Sequence, residues 1–246
     1  MSGHSKWANI KHRKAAQDAK KGKVFTKIAR ELTVAAKEGG ADPGANSRLR
    51  LALDKARAAN MPRDNVDRAI KKGAGGDADQ NYEDITYEAY GPGGAAILIK
   101  VLTDNRNRSV TEVRSALTKR GGNMAEAGSV SWQFDMKGLI EIPVSAVDEE
   151  KCLEIALENG AEDVATDGDL YIITTLPQDF EGVKSVFEAK NIPLSFAEVT
   201  MKAKNSIEVD VADAKKIINL VEALEELDDV QDVYGNYEID DSLLDD

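Results

Sequence analysis

Cysteine and histidine are nearly absent from this sequence, and their scarcity closes off much chemistry. The single cysteine, Cys152, excludes an intramolecular disulfide framework and suits a reducing compartment. The two histidines, His4 and His12, have no cysteine beside them and do not form a metal-ligand spacing. Neither shares a half of the chain with Cys152, so no Cys–His pair and no Ser/His/Asp set can be assembled there. Cys152 falls with Ala156 on the apolar side of a predicted helix, which is where a buried structural thiol sits. No apolar run reaches the roughly 18 residues of a membrane span. The basic first residues are followed by no apolar stretch of the kind that marks a secretory signal. They are Lys-rich, poor in serine and include Asp18, which also argues against a mitochondrial transit peptide. A cytosolic protein is expected, with no cofactor, no metal and no membrane partner. Carboxylates are plentiful, but most lie on exposed helix faces where solvation explains them, and no enzymatic activity is expected.

What the chain does have is charge, unevenly placed. The net charge is −12 over 246 residues. Residues 1–72 hold 18 Lys and Arg against 7 Asp and Glu, a net of +11; the rest holds 14 against 37, a net of −23. Such asymmetry points to a nucleic-acid or acidic-surface partner. At physiological salt the Debye length is about 8 Å, less than a domain width, so a phosphate backbone meeting the basic third feels little of the acidic remainder. Alternatively the basic region docks on acidic neighbours of its own chain, and the two uses can coexist.

Periodicity divides the chain further. Residues 1–22 show little of it and read as a basic arm, with a short helix over 12–20. Phe25, Ile28, Ala29, Leu32 and Ala36 recur at helical spacing until Gly39-Gly40. A second helix follows Asn46, with Leu49, Ala52, Leu53 and Ala56 inward. A third begins near Pro62 and carries Lys71-Lys72 at its C-terminal end. The polar segment 74–81 marks a boundary. Beyond it, strands are predicted at 85–90 and 95–102, joined through Gly91-Pro92-Gly93-Gly94. That glycine turn lacks the Gly-Lys-Ser/Thr ending of a phosphate loop and the spacing of a dinucleotide site, and it reads as a turn with positive φ. A helix at 108–120 and a strand at 129–134 follow. Next comes a β-α-β-β-α-β order: strand 138–142, helix 148–159, strands 163–166 and 169–175, helix 179–189 and strand 194–201. A last strand (206–211), helix (212–227) and strand (230–234) are expected to pair back with residues 82–130.

The expected fold class is therefore α+β and multi-domain, with an N-terminal three-helix bundle followed by two α/β, ferredoxin-like domains, one inserted in the other. The expected boundaries are 1–22 (basic arm), 23–76 (helical bundle), 77–134 with 205–240 (α/β domain), 135–204 (inserted domain) and 241–246 (acidic tail).

Candidate nucleic-acid contacts are His4, Lys6, Trp7, Lys11, His12, Arg13, Lys14, Lys20 and Lys21 in the arm, and Lys23 and Lys27 just after it. Cations at this density around an aromatic suit phosphate contacts plus base stacking; Trp7 can equally anchor the arm on the bundle. Arg106 and Arg108 join them, because Asn107 or Ser109 can cap a helix whose free N–H groups would suit a phosphate. The same loop can instead hold internal Asp–Arg pairs. No zinc-finger, RNP or KH signature is present, and no helix of the bundle carries a convincing base-reading pattern.

Several of these segments resemble a known family. Gly3-His4-Ser5-Lys6-Trp7, Ile10-Lys11-His12-Arg13-Lys14 and Lys21-Gly22-Lys23-Val24-Phe25-Thr26-Lys27 are similar to the opening of the YebC/PmpR family. Tyr90-Gly91-Pro92-Gly93-Gly94, Asp104-Asn105-Arg106-Asn107-Arg108 and Gly121-Gly122-Asn123 resemble its later signatures, in order, with Ser109 where threonine is usual. The resemblance implies a helical N-terminal domain, two α/β domains and no catalytic site. It implies a DNA-binding transcriptional regulator, or a ribosome-associated translation factor. One relative is a mitochondrial translational activator of cytochrome c oxidase, and bacterial relatives are tied to rescue of ribosomes stalled on proline-rich sequences. The partner is thus DNA or ribosomal RNA, with the ribosome itself a candidate. The arm suits irregular RNA slightly better than duplex DNA. A monomer is the favoured state.

Overall fold

The computed structural model describes residues 21–75 and 81–239. The arm through Lys20, the helix expected over 12–20 and the tail from Asp240 lie outside the described residues. Among the described residues no helix is long and apolar enough to cross a membrane. The fold is α+β, with two four-stranded antiparallel sheets.

Helix α1 (Lys21–Gly39), α2 (Ser47–Ala58) and α3 (Arg63–Ala74) share one apolar cluster, which includes Ile28, Leu32, Leu49, Ala52, Ala56 and Ala69. Asn46 fixes the turn between the first two. Its Oδ1 accepts from the Leu49 N–H at 3.0 Å, and its Nδ2 donates to the Ala35 and Gly40 carbonyls at 2.7 and 2.8 Å. Both helix ends are satisfied by one side chain.

Helices α1 and α3 meet at Gly73, where a Cβ would lie 2.1 Å from the Thr33 carbonyl oxygen. That oxygen belongs to a helix backbone and cannot turn aside. Gly73→Ala is therefore expected to force the helices apart at a cost of about 1–3 kcal/mol. Urea unfolding measures this, and an unchanged midpoint would contradict so close an approach.

The first sheet has the order β3-β1-β2-β9, formed by β1 (Glu83–Tyr90), β2 (Ala96–Thr103), β3 (Asn123–Met124) and β9 (Val230–Gly235). Ile97, Ile99 and Val101 of β2 face α4 (Arg106–Lys119) and α7 (Val211–Glu225), packing with Val113, Leu117, Ile217 and Leu220. The alternate residues Ala96 and Leu98 pack with Val130, Phe134 and Ala203 on the opposite face. Strand β2 is buried on both sides, which explains its continuous apolar run.

The second sheet has the order β5-β6-β4-β7, formed by β4 (Phe134–Pro143), β5 (Ala161–Asp167), β6 (Leu170–Thr175) and β7 (Phe196–Ala203). Ile140, Ile142 and Ile173 pack against Ile155 of α5 (Glu149–Glu158) and Phe180, Val183 and Phe187 of α6 (Phe180–Ala189). Cys152 is fully buried in this cluster. Burial, with Glu149 adding, pushes its thiol up to about 11.

Three expectations are corrected. Residues 129–134 do not form a strand: a 3-10 turn spans Ser131–Gln133, and β4 runs unbroken from Phe134. The Glu88 carboxylate captures the N–H groups of Gly128, Val130 and Ser131, so these donors do not serve a strand ladder. The strand expected at 206–211 shrinks to β8 (Ile207–Glu208), paired in parallel with β10 (Tyr237–Glu238). Asp210 caps α7 by accepting from the Asp213 N–H at 2.8 Å and so draws Val211 into the helix. Helix α4 starts at Arg106 rather than Arg108, capped by Asn105 instead of Asn107 or Ser109. The Gly91–Gly94 turn does require positive φ, at Gly93 (+67°) and Gly94 (+78°).

Candidate nucleic-acid interface

His4, Lys6, Trp7, Lys11, His12, Arg13, Lys14 and Lys20 lie outside the described residues. Lys21 opens α1. Their chemistry rests on sequence.

The next cations turn inward. Lys23 Nζ donates to the Glu226 carbonyl at 3.1 Å, and Lys27 Nζ donates to the Glu225 carbonyl. These carbonyls end α7, where the helix dipole favours positive charge. Burial lowers the Lys27 pKa, while Glu225, Asp232 and Asp228 oppose that shift. One turn later Arg30 donates to the carbonyls of Leu102 and Asp228 and to Asp229 Oδ1, at 2.9, 3.0 and 2.9 Å. Asp229, 3% exposed, also accepts from Thr103 Oγ1 and Arg108, both at 2.8 Å. This face of α1 is docked on acidic neighbours of its own chain.

Arg108 is consequently held by carboxylates, with Asp229 on one side and Asp104 at 2.7 Å on the other. Both raise its pKa, and the Arg108 hydrogen bond holds Asp104 below the usual carboxylate range. Arg106 is exposed and has no ion pair with any described residue. The two arginines of this motif therefore differ: one closes an internal network and the other faces solvent.

Arg48 and Lys55 are also engaged. Arg48 bonds Glu31, Glu38 and, with both terminal nitrogens, Asp84 at 2.8 and 3.0 Å, which ties α2 to β1. Burial would lower its pKa, but Glu31 and Asp84 raise it well above normal. Lys55 meets Asp232 at 3.0 Å.

The open cations lie on α3. Arg63, Arg68, Lys71 and Lys72 are exposed, and the nearest acid to Arg63 is Asp67 at 3.7 Å. Sequence reasoning assigned Lys71 and Lys72 only to the helix dipole. Their exposure follows from the inward face of α3, formed by Val66, Ala69, Ile70 and Gly73, which leaves the charged positions outward. A second exposed set, Arg114, Lys119 and Arg120, follows the outer side of α4. Exposed surface cations in rows are suited to phosphate contacts, whereas cations held in internal carboxylate networks are not.

Comparison with known proteins covers nearly all of the chain. A family model described as the TACO1/YebC N-terminal domain matches residues 5–76, and one described as the TACO1/YebC second and third domain matches residues 82–237. A "Probable transcriptional regulatory protein" of Natranaerobius thermophilus is 53% identical over 247 residues, covering 99% of each chain. A protein of the same description from Acidithiobacillus ferrooxidans is 54% identical over 244 residues, covering 99% of this chain and 97% of its own. The crystal structure of a conserved hypothetical protein from Aquifex aeolicus superposes with a TM-score of 0.79 at 46% identity, covering 91% of this chain and 93% of that one.

Proposed function

The chain belongs to the TACO1/YebC family, and from that premise we propose that it is a non-enzymatic, nucleic-acid-binding regulator of gene expression, acting on DNA in transcription. The names of its relatives support a regulatory role. The observation that carries nucleic-acid binding is the division among its cations: Lys23, Lys27 and Arg30 of α1 are consumed internally, while those of α3 stand exposed in a region of net positive charge. The arm adds further cations in sequence, and α3 supplies a fixed row. We also read residues 23–76 as a three-helix bundle, and residues 135–204 as a ferredoxin-like unit inserted into an α/β unit of 77–134 with 205–240. The pairing of β9 with β2 supports this.

Ribosomal RNA is the second reading, favoured by the arm itself: Lys-dense, with Trp7 available to stack and no base-reading helix beside it. One titration serves both readings. If about five cations each neutralise a phosphate, log K should fall against log salt with a slope of roughly −4 to −5 on duplex DNA. Replacing Lys11, Lys14, Lys71 and Lys72 by Gln should flatten that slope substantially, and Lys151→Gln should not. A structured ribosomal RNA fragment forms the second arm of the experiment. Tighter binding there would move the function to the ribosome, and a slope near zero on both ligands would overturn nucleic-acid binding.

A further inference from the structure

The two exposed aromatic rings beside the first sheet are tied to the same carbonyl. Trp132, 64% exposed, donates its Nε1–H to the Ser129 carbonyl at 3.0 Å, and the Tyr90 hydroxyl reaches that oxygen at 3.4 Å. The polar atoms of both side chains thus lie within two hydrogen-bond lengths of each other, and both side chains are exposed. Exposing an indole forfeits the burial that a side chain of this size would otherwise gain.

The loop that presents them is built around a buried charge. Glu88, 7% exposed, accepts from the backbone N–H groups of Gly128, Val130 and Ser131 at 2.7, 2.6 and 2.9 Å. Burial alone would raise its pKa, but these three bonds hold the carboxylate below its ordinary range. A charged group satisfied by loop amides and the Ser131 side chain locks the loop in one conformation. Trp132 is therefore displayed from a rigid support.

The surroundings are polar and carry charge of both signs, with Glu126 exposed in the loop itself. Tyr90 pairs with Asn123 across β1 and β3, and Asn123 is exposed at the sheet edge. Gly122 lets the chain turn tightly there, since a Cβ would meet the Tyr90 carbonyl at 3.0 Å. That turn places the exposed Arg120 within about 11 Å of Asn123 along the chain, and Lys119 and Arg114 continue the charge along α4. Exposed aromatic rings with exposed cations on the adjoining helix and turn suit single-strand recognition, in which rings stack on unpaired bases while cations follow the phosphates.

Resting on the nucleic-acid reading above, we propose that Trp132 and Tyr90 form a stacking platform for an unpaired base of single-stranded RNA, with Arg120 and Asn123 contacting the adjoining phosphate and ribose. A 2′-hydroxyl offers the Asn123 amide a partner that deoxyribose lacks. In duplex DNA the base faces are already stacked and are not available to the platform.

Two measurements on the full-length chain test this. In a Trp7→Phe variant Trp132 is the only tryptophan, so its emission should be quenched as a labelled oligouridine saturates the protein by anisotropy. In the otherwise native chain, Trp132→Ala should weaken oligouridine binding about tenfold. Trp132→Phe should keep most of the affinity, and the salt slope and thermal midpoint should not move. Unchanged Trp132 emission at saturation, or equal binding by Trp132→Ala, overturns the platform while leaving the proposed function intact. Equal quenching and affinity with oligodeoxythymidine removes the assignment to RNA, and quenching by a proline-rich peptide but not by RNA makes the surface a peptide site. If the native chain binds no nucleic acid, both proposals fall.

Discussion

Asp229→Ala should lower the unfolding free energy by about 3–5 kcal/mol, the range found when one partner of a buried ion pair is removed. Asp229 is 3% exposed and accepts from Arg30, Arg108 and Thr103. Those donors come from α1, from the first turn of α4 and from the end of β2, so one carboxylate joins three elements. Removing it takes the buried carboxylate from two guanidinium groups, and Arg30, on a side chain only 14% exposed, keeps only carbonyl partners there. Arg108→Ala should cost less, because Arg108 is 42% exposed and water can replace it. Denaturant unfolding of both variants measures the difference. If Asp229→Ala unfolds like the native chain, α1 is not held by this network, and its cations become available to a ligand.

The second large effect depends on pH and has the opposite sign. Glu141 lies toward the end of β4 between Ile172 of β6 and Phe196 of β7, and it is 2% exposed. Burial, with the Asp167 carboxylate adding, pushes its carboxyl up to about 7 from 4.5. The folded protein therefore holds a proton between pH 4.5 and 7 that the unfolded chain has released. Stability from this group is complete below about pH 4.5 and declines as pH rises through 7, by about 3 kcal/mol in all. Glu141→Gln keeps the shape and removes the titration. It should be nearly neutral at pH 4.5 and stabilise the protein by up to about 3 kcal/mol at pH 8, measured by urea unfolding at both values. An identical pH dependence in the two proteins would place the Glu141 carboxylate in water.

These two carboxylates mark where the sequence stopped being informative. Nothing in the local pattern separates Asp229 from Asp228 or Glu141 from Glu149. Asp229 became a hub because residues 121 and 199 positions away in sequence converge on it. Glu141 became a buried acid because strands on both sides and their side chains close over it. The misplaced strand at 129–134 has the same origin: its alternation was real, but a glutamate some 40 residues earlier claimed its amides.

The elements themselves were legible. The helical spacing of Ile28, Leu32 and Ala36, the unbroken apolar run of β2 and the glycines at 91–94 each follow from short-range physics, whether side-chain periodicity or backbone conformation. By itself the sequence determined the scarcity of redox and metal-ligating side chains, the division of charge between the first third and the rest, the order of the helices and the longer strands, and the motifs shared with one family. The tertiary structure decided which cations remain open. Lys23, Lys27, Arg30 and Arg108 look in sequence like Arg63, Arg68, Lys71 and Arg106, yet the first four are bonded to α7 and the residues that follow it. Charge is a property of the residue, whereas its availability depends on what folding brings within about 3 Å of it, and that distance is set by packing between segments far apart in the chain.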